Sequence, residues 1–100
     1  MALVKVATIE EIDPGTGSVV TADGKEVALF SLDGTYYAID NTCKHLGGPL
    51  GEGDLEAEIV TCPWHGWEYN VKTGACNTDT TICVETYPVQ AQGTDVMVEV

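Results

Sequence analysis

Cys43-Lys44-His45 and Cys62-Pro63-Trp64-His65 hold both histidines of the chain and two of its four cysteines. Thiolate sulfur and neutral imidazole nitrogen are donors that soft and borderline metals prefer, and two close pairs of them make a complete four-ligand set. In Cys43-x-His45 an extended backbone points residues i and i+2 to the same side, so both side chains can reach one centre. Cys62-x-x-His65 needs a tighter bend, which Pro63 and Gly66 are suited to shape. Glycines at 47, 48, 51, 53 and 66 should let backbone amides approach the centre and donate to sulfur. No third histidine is present to act as a base. A 2-His-1-carboxylate iron site would need the two histidines that the pairs already use. The chemistry on offer is therefore metal ligation. A structural zinc site is one form of it, although zinc fingers commonly build one half from closely spaced cysteines.

The segments that must position these residues read as all-β. Thr8-Ile9-Glu10-Glu11 fits a capping box, predicting one short helical turn ended by Asp13-Pro14-Gly15. Ser18 to Ala22, Lys25 to Leu32 and Thr35 to Asp40 are strand-like runs separated by Asp23-Gly24 and Asp33-Gly34. Asp-Gly pairs between such runs are strong hairpin signals. After residue 81 strands return. Tyr87, Val89 and Ala91 alternate with Thr86, Pro88 and Gln90, and Gln92-Gly93-Thr94 turns the chain into Asp95 to Val100. Between the two halves, residues 41 to about 80 are loop-rich. Short strand-like pieces stand at 57–61 and 67–71, and Asp54, Glu56 and Glu58 form an acidic run read as a solvated edge. This stretch carries all four candidate ligands, an arrangement typical of functional loops on a sheet scaffold.

The chain has 100 residues, with 16 acidic residues against 4 lysines and no arginine, for a net charge of −12. That is the length of a single domain, taken here as residues 1–100. Neutralising phosphates takes a basic patch, so nucleic acid is excluded as a partner, and a protein with a basic docking surface fits better. No apolar run approaches the roughly 18 residues of a membrane span. The opening Met1-Ala2-Leu3-Val4-Lys5-Val6 reads as a strand rather than a signal peptide, so the expected location is the cytoplasm. Four cysteines in that setting point to metal binding before a disulfide framework. Cys76 and Cys83 lie outside the pairs; they could be buried thiols, the commonest case, a local disulfide, or incidental. Trp64, Trp67 and Tyr69 are candidate core aromatics.

Cys43-Lys44-His45-Leu46-Gly47 and Cys62-Pro63-Trp64-His65-Gly66 resemble the two ligand boxes of Rieske proteins. There a [2Fe–2S] cluster hangs between two loops on one Cys and one His from each. The lead-in at 2–40 and the closing Tyr87-Pro88-Val89 strand extend the likeness to small Rieske ferredoxins along most of the chain. The resemblance implies an antiparallel β-sandwich with a cluster-binding subdomain at about 41–80. It implies that Cys43 and Cys62 bind the inner iron, and that His45 and His65 bind the outer, solvent-near one. It also places Tyr69 where many members carry an aromatic residue near the cluster. Two ferric ions, two sulfides, two thiolates and two imidazoles sum to zero charge. One electron is therefore added more easily than to an all-cysteine cluster, and potentials are higher.

Departures from the family pattern sort the subfamilies. High-potential members place two extra cysteines, joined as a disulfide, where this chain has Gly48 and Trp64. Trp67 stands where they place a serine that bonds a cluster sulfur. The first difference rules out that disulfide here, and the loss of the hydroxyl donor implies a potential at the low end of the range. Many oxygenase ferredoxins carry a proline at about 75–80, and Ala75 to Thr80 has none. The implied role is a monomeric one-electron carrier, not itself an enzyme, between a flavin-containing reductase and a terminal oxygenase such as an aromatic-ring dioxygenase. The small Rieske-like subunit of assimilatory nitrite reductases is the alternative within the family, and a zinc-stabilised binding module is the alternative outside it.

Overall fold

The computed structural model describes residues 3–32, 34–43, 47–64 and 66–100. Strand β1 (Leu3–Thr8) runs into a single 3-10 turn at Ile9–Glu11. The Glu11 carboxylate accepts the Thr8 N–H at 2.9 Å and the Thr8 hydroxyl at 3.0 Å, closing the turn that the sequence pattern predicts. Those two bonds hold the Glu11 carboxyl below the usual range. Strands β2 (Gly17–Ala22), β3 (Lys25–Leu32) and β4 (Thr35–Asp40) follow as an antiparallel meander. Asp23 and Gly24 have φ of 50° and 82°, the double positive φ of a type I′ hairpin, as their residue types require. Asp33 lies outside the described residues, and its neighbour Gly34 has φ 81°.

The middle of the chain holds a second 3-10 turn at Leu50–Glu52 and three short strands: β5 (Asp54–Glu56), β6 (Ile59–Thr61) and β7 (Glu68–Asn70). They pair in that order as a small antiparallel sheet. The acidic run is thus itself an edge strand, with Asp54 and Glu56 exposed and Leu55 half-buried between them. Ala57, expected to begin a strand, instead sits in the β5–β6 turn with φ 54°. The chain closes with β8 (Thr86–Tyr87), β9 (Val89–Gln92) and β10 (Asp95–Glu99). The run from 86 to 91 is not one strand. Pro88 has no N–H to give a ladder, and at that point the chain leaves β4, the partner of β8, for β10, the partner of β9.

Two larger sheets result, β1-β10-β9 and β2-β3-β4-β8, beside the small β5-β6-β7 sheet. All pairings are antiparallel, as the β-sandwich reading expects. Strand β3 is buried on both faces. Val27 and Leu29 pack with Val96 and Val98 of β10 between the two larger sheets. Ala28 and Phe30 point the other way, into a second core with Ile39, Leu50, Val60 and Tyr69. The period-2 alternation of a strand therefore feeds two cores from one segment. Lys72 adds a polar tie at the surface: its ammonium lies 3.4 Å from Glu58 and 5.7 Å from the ring centroid of Tyr37, which packs against the second core. Among the described residues no helix is long and apolar enough to cross a membrane.

Gly53 joins the Leu50–Glu52 turn to β5 at a place where backbone crowds backbone. A Cβ there would run into the Thr61 carbonyl and sit 3.0 Å from the Val60 side chain. Gly53→Ala should cost about 1–3 kcal/mol through overpacking, read as a lower midpoint in denaturant titration. A midpoint equal to that of the parent would show that the β5–β6 pairing shifts at little cost.

Candidate functional site

Cys43 and Cys62 each open a loop, and the two loops close in the same way. The Cys43 carbonyl accepts the Gly47 N–H at 2.8 Å, and the Cys43 N–H donates to the Gly48 carbonyl at 2.9 Å. The Cys62 carbonyl accepts the Gly66 N–H at 3.0 Å, and the Cys62 N–H donates to the Trp67 carbonyl at 2.7 Å. Gly47 and Gly66 take φ of 79° and 76°, a left-handed conformation that glycine adopts without a Cβ penalty. The two sequence boxes differ in spacing by one residue, yet they fold into the same bonded frame. His45 and His65 fall inside these frames, but both lie outside the described residues, as do Lys44 and Leu46.

Different elements carry the two frames. The 62–67 loop joins β6 to β7, so their hairpin aims it. The 43–48 loop has no hairpin of that length beneath it and is clamped by Asn41 instead. The buried Asn41 side-chain carbonyl accepts the Gly51 N–H at 2.8 Å, and its backbone carbonyl accepts the Leu50 N–H at 2.7 Å. One residue thus ties both ends of the excursion. Nothing in the local sequence marks this role, because it depends on where the chain returns at Leu50-Gly51.

The frames bring Cys43 and Cys62 into one apolar core with Phe30, Leu50, Val60 and Tyr69. They are 2% and 3% exposed, and neither is in a disulfide. The Tyr69 hydroxyl lies 3.4 Å from Cys43 Sγ, and Tyr69 is fully buried, so it packs in the core and touches a candidate ligand at once. Trp67 is half-buried against the same core. Gly48 fills the gap between the frames: a Cβ there would lie 2.6 Å from Cys62 Sγ and 3.1 Å from Trp64 Cγ. Positions 48 and 64 do face one another, with a glycine and an indole where the resembled high-potential proteins place a disulfide.

Three expectations need correction. Trp64 is not a core residue; it is 57% exposed. Cys83 is exposed, whereas Cys76 is buried as expected and accepts the Asp79 N–H at 3.3 Å. The glycine amides are largely committed elsewhere. Gly47 and Gly66 close the frames, Gly51 bonds Asn41, and Gly53 donates to the Leu50 carbonyl at 3.0 Å. Short loops must satisfy their own backbone groups, and these amides do so.

The donor set suits a Rieske-type [2Fe–2S] cluster. Two cysteines outside any disulfide are sheltered from water under matching loops, and the glycine cradle beside Cys62 would be filled by any Cβ. Among the described residues no group of three or more His, Cys, Asp or Glu could hold a metal ion.

Comparison with known proteins agrees with this chemistry. A family model described as Rieske [2Fe-2S] domain matches residues 2–88. The ferredoxin component of the naphthalene 1,2-dioxygenase system of Pseudomonas aeruginosa is 36% identical over 97 residues, covering 96% of this chain and 93% of that protein. The ferredoxin of carbazole 1,9a-dioxygenase from Nocardioides aromaticivorans IC177 superposes with a TM-score of 0.90 at 33% identity, covering 98% of this chain and 97% of that one. A putative NADH-dependent nitrite reductase small subunit from Mycobacterium tuberculosis superposes with a TM-score of 0.89 at 25% identity, covering 97% and 93%. A family match over nearly the whole chain, with two buried cysteines in equivalent frames, means that this protein belongs to the Rieske [2Fe-2S] domain family.

Proposed function

We propose that this protein is a one-electron carrier that takes electrons from a flavin-containing reductase and delivers them to a terminal oxygenase of the aromatic-ring dioxygenase kind. The observation that carries the reading is the pair of matching frames that put Cys43 and Cys62 in one sheltered core. The relatives' names supply the partner class, since the more similar ones are ferredoxin components of dioxygenase systems. When bound, the [2Fe–2S] cluster supplies one reversible electron site that needs no open coordination position. The protein is accordingly an electron-transfer component rather than a catalytic subunit.

Cys43, His45, Cys62 and His65 are the four ligands in this reading. Cys43 and Cys62 bind from the buried side. The Tyr69 phenol then donates to the Cys43 thiolate across their 3.4 Å contact. A donor to ligand sulfur favours the more negative, reduced state and raises the potential. Trp67 offers no hydroxyl to a cluster sulfur where high-potential members place a serine, and the potential belongs at the low end of the family's range. Residues 1–100 act as one unit with the cluster-binding part at about 41–80. Four cysteines without a disulfide fit a reducing compartment, the cytoplasm.

A second reading has support in the shared fold of the nitrite reductase small subunit. It makes the chain a fixed subunit rather than a shuttle. Gel filtration with reductase or oxygenase components separates the two readings: a stable complex marks the subunit, and a transient, salt-sensitive one marks the carrier.

Low-temperature EPR after anaerobic dithionite reduction tests the ligation. A rhombic spin-half signal with an average g below that of all-cysteine [2Fe–2S] proteins is expected, whereas an EPR-silent sample containing zinc and no labile sulfide would overturn the electron-carrier reading. Tyr69→Phe should lower the potential by about 40 mV, the one-electron equivalent of a hydrogen bond worth about 1 kcal/mol. An unchanged potential would remove Tyr69 from the tuning. His45→Cys should also lower it, because a thiolate replaces a neutral donor, and a cluster intact at the parent potential would defeat the charge argument. Gly48→Ala should reduce iron and labile sulfide per protein, since the added methyl meets Cys62 Sγ at 2.6 Å; full cluster content would show that the frames move apart freely.

A further inference from the structure

Trp64 stands out among the described residues. It and Leu3 are the exposed large hydrophobic side chains, at 57% and 42%. Leu3 lies in the first strand, in the sheet that does not contribute to the core holding Cys43 and Cys62. Trp64 lies inside the second frame, next to His65, with its indole packed on Gly48 of the first frame. It therefore straddles the two loops while keeping more than half of its surface in water. A tryptophan left exposed is an unfavourable use of apolar area unless something covers it, and tryptophan is the residue type most enriched in binding hot spots.

The surroundings state what kind of surface covers it. The chain has a net charge of −12. Some of that charge lies beside the first loop, where Glu26, Asp40 and Glu85 outnumber Lys25 in a recess that includes Thr42, the residue before Cys43. Electron transfer weakens steeply with distance, so a redox partner must rest on the loops and hence on Trp64.

We infer that Trp64 is the apolar anchor of the electron-transfer docking face, seated by a partner protein with an apolar patch ringed by lysine or arginine around its own redox centre. This rests on the electron-carrier reading and adds the residue and the partner's surface chemistry to it. The acidic surroundings steer the approach, and the indole supplies the desolvated centre of the contact.

Cytochrome c, a basic protein with an apolar surface around its exposed haem edge, is the probe. Two readouts are taken on the cluster-loaded chain and on its W64A and W64F forms. The first is calorimetric binding of oxidised protein to ferricytochrome c at low salt, where no electron moves. The second is stopped-flow reduction: protein reduced by dithionite and freed of excess gives up one electron, and one ferric haem becomes ferrous. W64A should weaken binding at least fivefold and slow reduction at least fivefold beyond what its own measured potential accounts for. W64F should stay within about twofold of the parent, and added salt should slow all three.

Parent-like binding and rate in W64A would overturn the inference. So would a slowing that follows a shifted potential and is equal in W64A and W64F, because that is a structural role. A parent protein with the Rieske EPR signal that neither binds nor reduces cytochrome c would overturn the partner chemistry while leaving the electron-carrier reading standing. Absence of the EPR signal itself would overturn that reading instead.

Discussion

The loop end of this protein depends on one constraint: two sulfur donors, far apart in sequence, must be held together in an apolar setting with no covalent link between them. Thiolates are costly to bury unless they gain partners. The chain meets this by bringing Cys43 and Cys62 under cover as heads of self-closing loops, each cysteine bonded through its own N–H and carbonyl to the returning end of its loop. The left-handed glycines, the Asn41 clamp and the β6–β7 hairpin all serve that arrangement.

Gly48 and Trp64 show a second route to holding two loops together. A disulfide fixes the distance by a bond and brings its own redox chemistry beside the cluster. Here one residue has no side chain, and the other lays an indole across the space. The contact is weaker than a covalent one, but it leaves the loops free of a second reducible group and places a broad apolar face at the tip.

The hairpins at Asp23-Gly24 and Gly34, the turn at Thr8–Glu11 and the all-antiparallel pairing were readable because each rests on local chemistry, positive φ or capping, that a few residues specify. The two loops headed by Cys43 and Cys62 were readable for the same reason: a cysteine followed at short spacing by glycine marks a tight, self-closing turn. What escaped the sequence depends on distant chain. Asn41 clamps residues 50 and 51, Asp54–Glu56 becomes a strand only because Ile59–Thr61 lies beside it, and the strand at 86–91 breaks because its halves find different partners. Trp64 was misjudged because burial of a tryptophan is the usual outcome, and only the loop geometry turns this one outward. The glycines were correctly marked as backbone devices, but the bonds they make are to the chain itself.

Strand β3 gives the molecule a mechanical property. Its odd residues belong to the sandwich and its even residues to the floor beneath the cysteines, so the two halves share a wall with no linker between them. Neither half can breathe alone: a fluctuation that loosens Val27 or Leu29 drags Ala28 and Phe30 with it. A carrier that must change charge by one electron without changing shape benefits from such stiffness, since little structural rearrangement accompanies each transfer. The same wall means that the loop region is not a transplantable module, because cutting it away would remove the floor on which Tyr69 and both thiols rest.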